Sequence, residues 1–185
     1  MQATLKFGIP NAKLKALAKR FKMVLKTFSL PSGWTCPAAK ECHSRADRET
    51  GKIKDGKHTQ FRCFQASAEA LYPSLRAMVW HNHDLLMAKV NDQNKLADLI
   101  HASLPKKFDI LRVHVGGDYF NLTYLAAWCE VAKRNPEKLF YSYTKSTHLW
   151  EIAEMSDGIP ANLILTASRG GWFDDKIEEN AFKCA

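Results

Sequence analysis

Cys36, Cys42 and Cys63 fall within 28 residues of otherwise polar, basic and glycine-bearing sequence, separated by five and then twenty residues. Cysteine prefers burial in periodic elements, and these three avoid them. Pro37 fixes φ directly after Cys36, and Gly33, Gly51 and Gly56 let the backbone turn tightly around whatever the thiolates hold. Disulfides consume cysteines in pairs. Three thiolates instead suit a cuboidal iron–sulfur cluster with one iron left for another ligand, or a zinc ion completed by His43 or His58. The spacing is that of neither ferredoxins nor zinc ribbons. Cys129 falls with Leu125, Trp128 and Ala132 on the apolar face of an expected helix and reads as a core thiol, while Cys184 sits at the end of the chain.

A second group of chemistry-bearing residues stands where expected strands end. Ile110–Val115 runs into Gly116-Gly117-Asp118, Leu139–Tyr143 into Thr144-Lys145-Ser146, and Leu163–Thr166 into Ala167-Ser168-Arg169-Gly170-Gly171. Gly116 and Gly117 admit close approach of a ligand to backbone, and Asp118 offers a carboxylate for an amine or hydroxyl, or else caps the next helix. Lys145 and Arg169 would form an anion clamp with the Gly170 and Gly171 amides. Ser146 and Ser168 have no base near them in sequence and are not read as nucleophiles. His81 and His83, two apart on a helix, point about 200° apart and cannot share a metal.

These residues need elements to hold them. Leu14, Leu17, Ala18 and Phe21 recur at helical spacing and predict a basic amphipathic helix over Asn11–Lys22 that packs on the core. Met23–Leu30 reads as extended and delivers the chain to Cys36, and residues 31–63 form a long polar excursion. Ser67–Lys89 and Gln93–Ser103 read as helices. Strand and helix then alternate, with helices over Leu122–Arg134, Thr147–Met155 and Trp172–Phe182. This pattern predicts an α/β fold with a mostly parallel sheet, open or a partial (β/α) barrel, carrying a long cysteine-bearing loop after the first strand. In such folds the carboxyl ends of the strands share one face, where ligands bind.

With 185 residues, 46% of them apolar, the sequence predicts one domain with its own buried core, spanning 1–185. No apolar run reaches the roughly 18 residues of a spanning helix, and the start lacks a secretory core, so the expectation is a cytoplasmic protein without a membrane partner. The net charge of +8 is uneven. Residues 1–62 carry 14 Lys and Arg against 4 Asp and Glu, and residues 63–185 carry 13 against 15. The basic third could draw in nucleic acid or a phosphorylated ligand, and Lys40, Arg45 and Arg62 would lower the pKa of nearby thiols. Trp34, Phe61 and Phe64 could stack bases or shield a cluster from water.

The ordered blocks Phe28-Ser29-Leu30-Pro31, Thr35-Cys36-Pro37, Cys42, Phe61-Arg62-Cys63-Phe64, Tyr72-Pro73, Arg112-Val113-His114, Gly117-Asp118, Phe140 to Ser146 and Leu165 to Gly171 resemble the bacteriophage gene product 88 family. The resemblance implies a phage-encoded protein of the host cytoplasm, with Cys36, Cys42 and Cys63 as ligands of a 4Fe-4S or 3Fe-4S cluster serving electron transfer, sensing or other redox chemistry with a small molecule or redox partner. A weaker likeness is to radical S-adenosylmethionine enzymes, which pair three cluster cysteines with a glycine-rich turn that touches the cofactor. It implies S-adenosylmethionine with its amino group at the Gly116-Gly117-Asp118 turn; with Lys145, Ser168 and Arg169 from the other strand ends, these are the expected cofactor-binding residues. A zinc-stabilised nucleic-acid-binding module is the alternative from another class.

Overall fold

A computed structural model describes residues 3–185. The first helix, α1 (Ala12–Arg20), is capped by the Asn11 side chain, which accepts from the Leu14 amide at 3.0 Å. It buries no residue, and Leu17 and Phe21 are exposed. The expected packing of this helix on the core is therefore not what forms: its apolar stripe is short, and lysines crowd both of its edges.

The central sheet is built from β1 (Leu25–Thr27), β4 (Ile110–Val113), β5 (Leu139–Thr144) and β6 (Leu163–Ala167), in that order and all parallel. Ile110 stands opposite Leu25 and Leu139, and Phe140 opposite Leu163. The sheet does not close into a barrel. Helices α4 (Gln93–Ser103), α5 (Leu122–Lys133) and α6 (Thr147–Met155) supply Leu96, Ile100, Leu125, Trp128 and Leu149 to one core with Leu111, Val113, Phe140, Leu163 and Leu165. Trp128 is fully buried between Phe28 and Phe140, its ring centre 5.6 and 6.2 Å from theirs. On the other face Arg112, Tyr141, Tyr143, Ile164 and Thr166 are half-buried or exposed. Strands of this sheet alternate between a buried and an open side, and the open side leads to the strand ends.

Three further elements differ from expectation. The helix expected over Ser67–Lys89 is two, α2 (Phe64–Leu71) and α3 (Pro73–Met87), broken at Tyr72 with φ −119° and ψ 93°. Pro73 is the reason: it excludes helical geometry from the residue before it and then serves as the first residue of α3. The polar excursion contains a short antiparallel hairpin, β2 (Ser44–Ala46) and β3 (Ile53–Asp55), with Ser44 opposite Asp55. The last helix, α7, covers only Asp175–Glu179. Among the described residues no helix is long and apolar enough to cross a membrane.

Past Thr27 the chain stays tied to the sheet. Phe28 donates to the Arg112 carbonyl at 2.9 Å, Val115 donates to the Phe28 carbonyl at 2.9 Å, and Leu30 donates to the Gly116 carbonyl at 2.9 Å. The start of the cysteine loop is thereby fixed beside the turn that follows β4.

Candidate functional site

The three cysteines arrive at the sheet from separate segments. Cys36 follows a turn in which Thr35 donates its hydroxyl to the Pro31 carbonyl at 2.8 Å, and the Asp118 amide bonds the Thr35 carbonyl at 3.1 Å. Cys42 leads into β2. Cys63 precedes α2 and donates its amide to the Ser44 hydroxyl at 3.2 Å, which ties it to the same hairpin. α2 is itself locked to the loop by the fully buried Glu69, whose carboxylate accepts the Ser32 amide at 2.9 Å. Gly33, at φ 69°, has no room for a Cβ, which would lie 2.4 Å from the Ser44 carbonyl oxygen.

The result is a cleft of about 560 Å³ lined by Cys36, Cys42 and Cys63 together with Gly116, Gly117 and Asp118 after β4, Lys145 after β5, and Ser168 and Arg169 after β6. The three cysteines and the six residues expected to bind a cofactor thus line one cavity at the carboxyl ends of the strands, whereas Ser146, Gly170 and Gly171 do not line it. Arg112, His114, Tyr143, Phe61 and Phe64 also line it. Arg112, His114 and Tyr143 were not singled out as site residues. The available signal was their place near the ends of β4 and β5, just before residues that were.

Gly117 adopts φ 84°, and a Cβ there would stand 2.7 Å from both Leu30 Cβ and Thr35 Oγ1. The turn must therefore be glycine for the cysteine loop to lie against it. His114 adopts φ 63°, a left-handed conformation that costs a non-glycine residue energy and ends β4 two residues before the expected Val115.

Asp118 does not cap α5; Asn121 does, accepting the Tyr124 amide at 2.8 Å. The Asp118 carboxylate is 5% exposed and braces the neighbouring strand end, accepting from the Thr144 hydroxyl at 2.6 Å, the Lys145 amide at 2.8 Å and its neighbour's amide on Tyr119 at 2.7 Å. Burial pushes its pKa up to about 6 against those hydrogen bonds.

The anion clamp is internally engaged. The Gly170 and Gly171 amides donate to the Asp174 carboxylate at 2.8 and 2.9 Å, Arg169 pairs with Glu178, and the Lys145 ammonium donates to the Ser168 hydroxyl at 3.0 Å and to the Arg169 carbonyl. A ligand on those amides has to displace Asp174, whereas among the described residues the Lys145 ammonium has no acid as its hydrogen-bond partner.

The thiols do not behave as the basic sequence around them suggests. Burial raises the pKa of Cys36, and Asp118 raises it further. Burial also raises Cys42; the cation that opposes this is Lys145 on the sheet, not Lys40, Arg45 or Arg62. Desolvation outweighs the field of the basic third because those side chains extend into water or onto rings: Lys40 lies over Trp172 at 5.1 Å, Arg45 over Trp34 at 4.9 Å, and Arg62 pairs with Asp55 at 2.7 Å.

Among the described residues no three Cys, His, Asp or Glu side chains already converge on a single-ion position. A multi-iron cluster takes its thiolates on different irons, so its donors are spread more widely than those of one ion. Three soft donors facing a roomy cleft fit such a group; neutral thiols would release their protons as it binds. His43 and His58 line a neighbouring depression with Lys40, Arg45 and Trp172 rather than the cleft, which leaves a zinc ion there without its expected fourth donor. Cys129 is buried in the core, and Cys184 is exposed, bridged to Ala167 at the end of β6. The imidazole of His81 is bonded to the Thr4 carbonyl at 2.9 Å, and that of His83 stacks edge-on to Trp80.

Residues 4–184 match the family model described as Gene product 88. The chain belongs to the gene product 88 family. This member is similar to the Gene 88 protein of Mycobacterium phage L5, at 31% identity over 90 residues, and to the Gene 88 protein of Mycobacterium phage D29, at 29% over 90 residues. Each match covers 45% of this chain and 38% of the relative, so the matched stretch spans about two fifths of those proteins' length. No solved structure matches the chain. The family and these relatives make it a bacteriophage-type protein, and the four-stranded parallel sheet flanked by helices is its fold.

Proposed function

We propose that this gene product 88 family member binds a cuboidal iron–sulfur cluster, 4Fe-4S or 3Fe-4S, through Cys36, Cys42 and Cys63. The observation that carries the proposal is that three cysteines from three separate segments line one cleft, while Cys129 and Cys184 do not. Such a group supplies one-electron redox chemistry, which serves electron transfer, sensing or a reaction on a small molecule. The chain's own residues do the rest. Gly33 and Gly117 allow the loop to lie against the sheet, Asp118 holds the β4 and β5 ends together, and Phe61 and Phe64 limit access of water at the mouth.

Protein purified without oxygen is expected to be brown and to contain iron and acid-labile sulfide in near-equal amounts. Colourless protein holding zinc alone contradicts the proposal. A second reading, an enzyme acting on S-adenosylmethionine, is favoured by one observation: Gly116, Gly117 and Asp118 line the same cleft as the three thiols. That reading requires binding of S-adenosylmethionine by the cluster-loaded protein, and its absence by equilibrium dialysis removes it. The basic third also keeps nucleic acid as a proposed partner. It predicts an affinity for single-stranded DNA or RNA that falls steeply as salt rises.

A further inference from the structure

Arg112 and His114 play no part in the thiol chemistry, yet both line the cleft. The Arg112 guanidinium lies over the Tyr143 ring, 5.4 Å from its centre, and its Nε is buried with no hydrogen-bond partner among the described residues. Among the described residues Arg112 forms no ion pair, whereas the other two arginines of the cleft are each held by an acid, Arg62 by Asp55 and Arg169 by Glu178. His114 is 3% exposed; its Nε2 meets the Tyr124 hydroxyl at 3.0 Å, and its Nδ1 is buried and unpartnered.

Buried polar atoms nearly always have partners, and buried cations are nearly always balanced. The His114 ring packs among the buried Phe28, Tyr119 and Tyr124, whereas the Arg112 guanidinium and the Lys145 ammonium, the latter with hydroxyl and carbonyl partners, stand on the open side of the cleft wall as donors with no acid paired to them among the described residues. The mouth is different in character: Phe61, Phe64 and Tyr143 present rings that are about half exposed. A charged wall under an aromatic rim suits a ligand with an anionic head and a flat apolar body.

We propose that Arg112 and Lys145 form the head-group site for a small aromatic anion, a carboxylate or a phosphate monoester, whose ring lies among Tyr143, Phe61 and Phe64. The site stands on the cleft wall and does not require the cluster.

The test uses the full chain prepared free of iron, in 0.15 M salt, with phenyl phosphate and benzoate as probes and inorganic phosphate and acetate as their ringless counterparts. Titration calorimetry should show saturable binding of one aromatic anion, about tenfold or more tighter than its counterpart. Phenyl phosphate alone identifies a phosphate ligand, benzoate alone a carboxylate. Arg112→Gln should weaken binding about tenfold or more, the usual consequence of removing a charged hydrogen-bond donor, while Arg134→Gln, which lies outside the cleft lining and is paired with Asp98 and Glu130, should change it less than about threefold. If Arg112→Gln does not fold by circular dichroism, Tyr143→Leu replaces it and should erase the preference for the ringed anion. Failure of both aromatic anions to saturate the wild type at millimolar concentration, or unchanged binding by the variant, overturns the proposal. Because iron is absent, a protein that later binds a cluster but neither anion loses this site and keeps the cluster.

Discussion

Replacing Asp118 by alanine is the perturbation whose consequences the structure defines most fully. The substitution removes the acceptor of the Thr144 hydroxyl and of the Lys145 amide, the two bonds that join the β4 turn to the end of β5. Hydrogen bonds to a charged group contribute about 1.5–3 kcal/mol each, so the loss is about 3–6 kcal/mol. Against this stands the cost of burying the carboxylate. Its pKa of about 6 in place of 3.8 corresponds to about 3 kcal/mol at neutral pH, all of which alanine recovers. The net expectation in iron-free protein at pH 7.5 is a destabilisation of about 0–3 kcal/mol, or up to about 12 °C in Tm for a chain of this size.

The pH dependence carries the sharper signature. A carboxyl whose folded pKa is raised contributes stability that is complete below pH 3.8 and is lost as pH rises through about 6. Wild type should therefore gain about 1.5 kcal/mol from this group between pH 7.5 and pH 5, and the variant should gain nothing there. The gap between the two proteins should be wider at pH 5. Urea melts at both pH values measure this. A gap between the two proteins that narrows or stays unchanged at pH 5 refutes the assignment of Asp118 as a buried brace.

Three further outcomes follow from the same geometry. Gly117→Ala forces a Cβ to 2.7 Å from Leu30 Cβ at φ 84°, and should cost about 2 kcal/mol or more in a chemical melt, against the few tenths typical of an exposed loop position. Trp128→Ala empties the centre of the core between Phe28 and Phe140 and should cost about 3–5 kcal/mol or prevent folding, as read by near-ultraviolet circular dichroism. His114, pushed down to about 3 by burial, should show no imidazole titration by NMR between pH 5 and 8; its neutral form contributes stability that is lost as pH falls below 6.5.

Much of the fold was legible because the second half obeys simple periodicities. Leu111, Val113, Phe140, Leu163 and Leu165 alternate with half-exposed neighbours, and Asn121 caps α5 where an Asx residue before an apolar run is expected. The strand ends converge for a topological reason, which is why residues as distant as Cys36 and Arg169 were assigned to one face. The hairpin β2–β3 was missed because Ser44-Arg45-Ala46 and Ile53-Lys54-Asp55 are too short and too polar to carry a period. The break at Tyr72-Pro73 was readable from proline chemistry and was overridden by the length of the apolar pattern around it. For α1 the stripe was readable, but what it packs against is a tertiary property. The same holds for Arg112 and His114: their types were visible, their lack of partners was not.

The thiol assignment is tested most directly by an anaerobic visible spectrum of the wild type beside four single variants, Cys36→Ser, Cys42→Ser, Cys63→Ser and Cys129→Ser. Broad absorption in the blue is expected for the wild type and for the Cys129 variant, and bleaching for each of the other three. A spectrum that survives loss of Cys36, Cys42 or Cys63, or one that disappears with Cys129, would contradict the account.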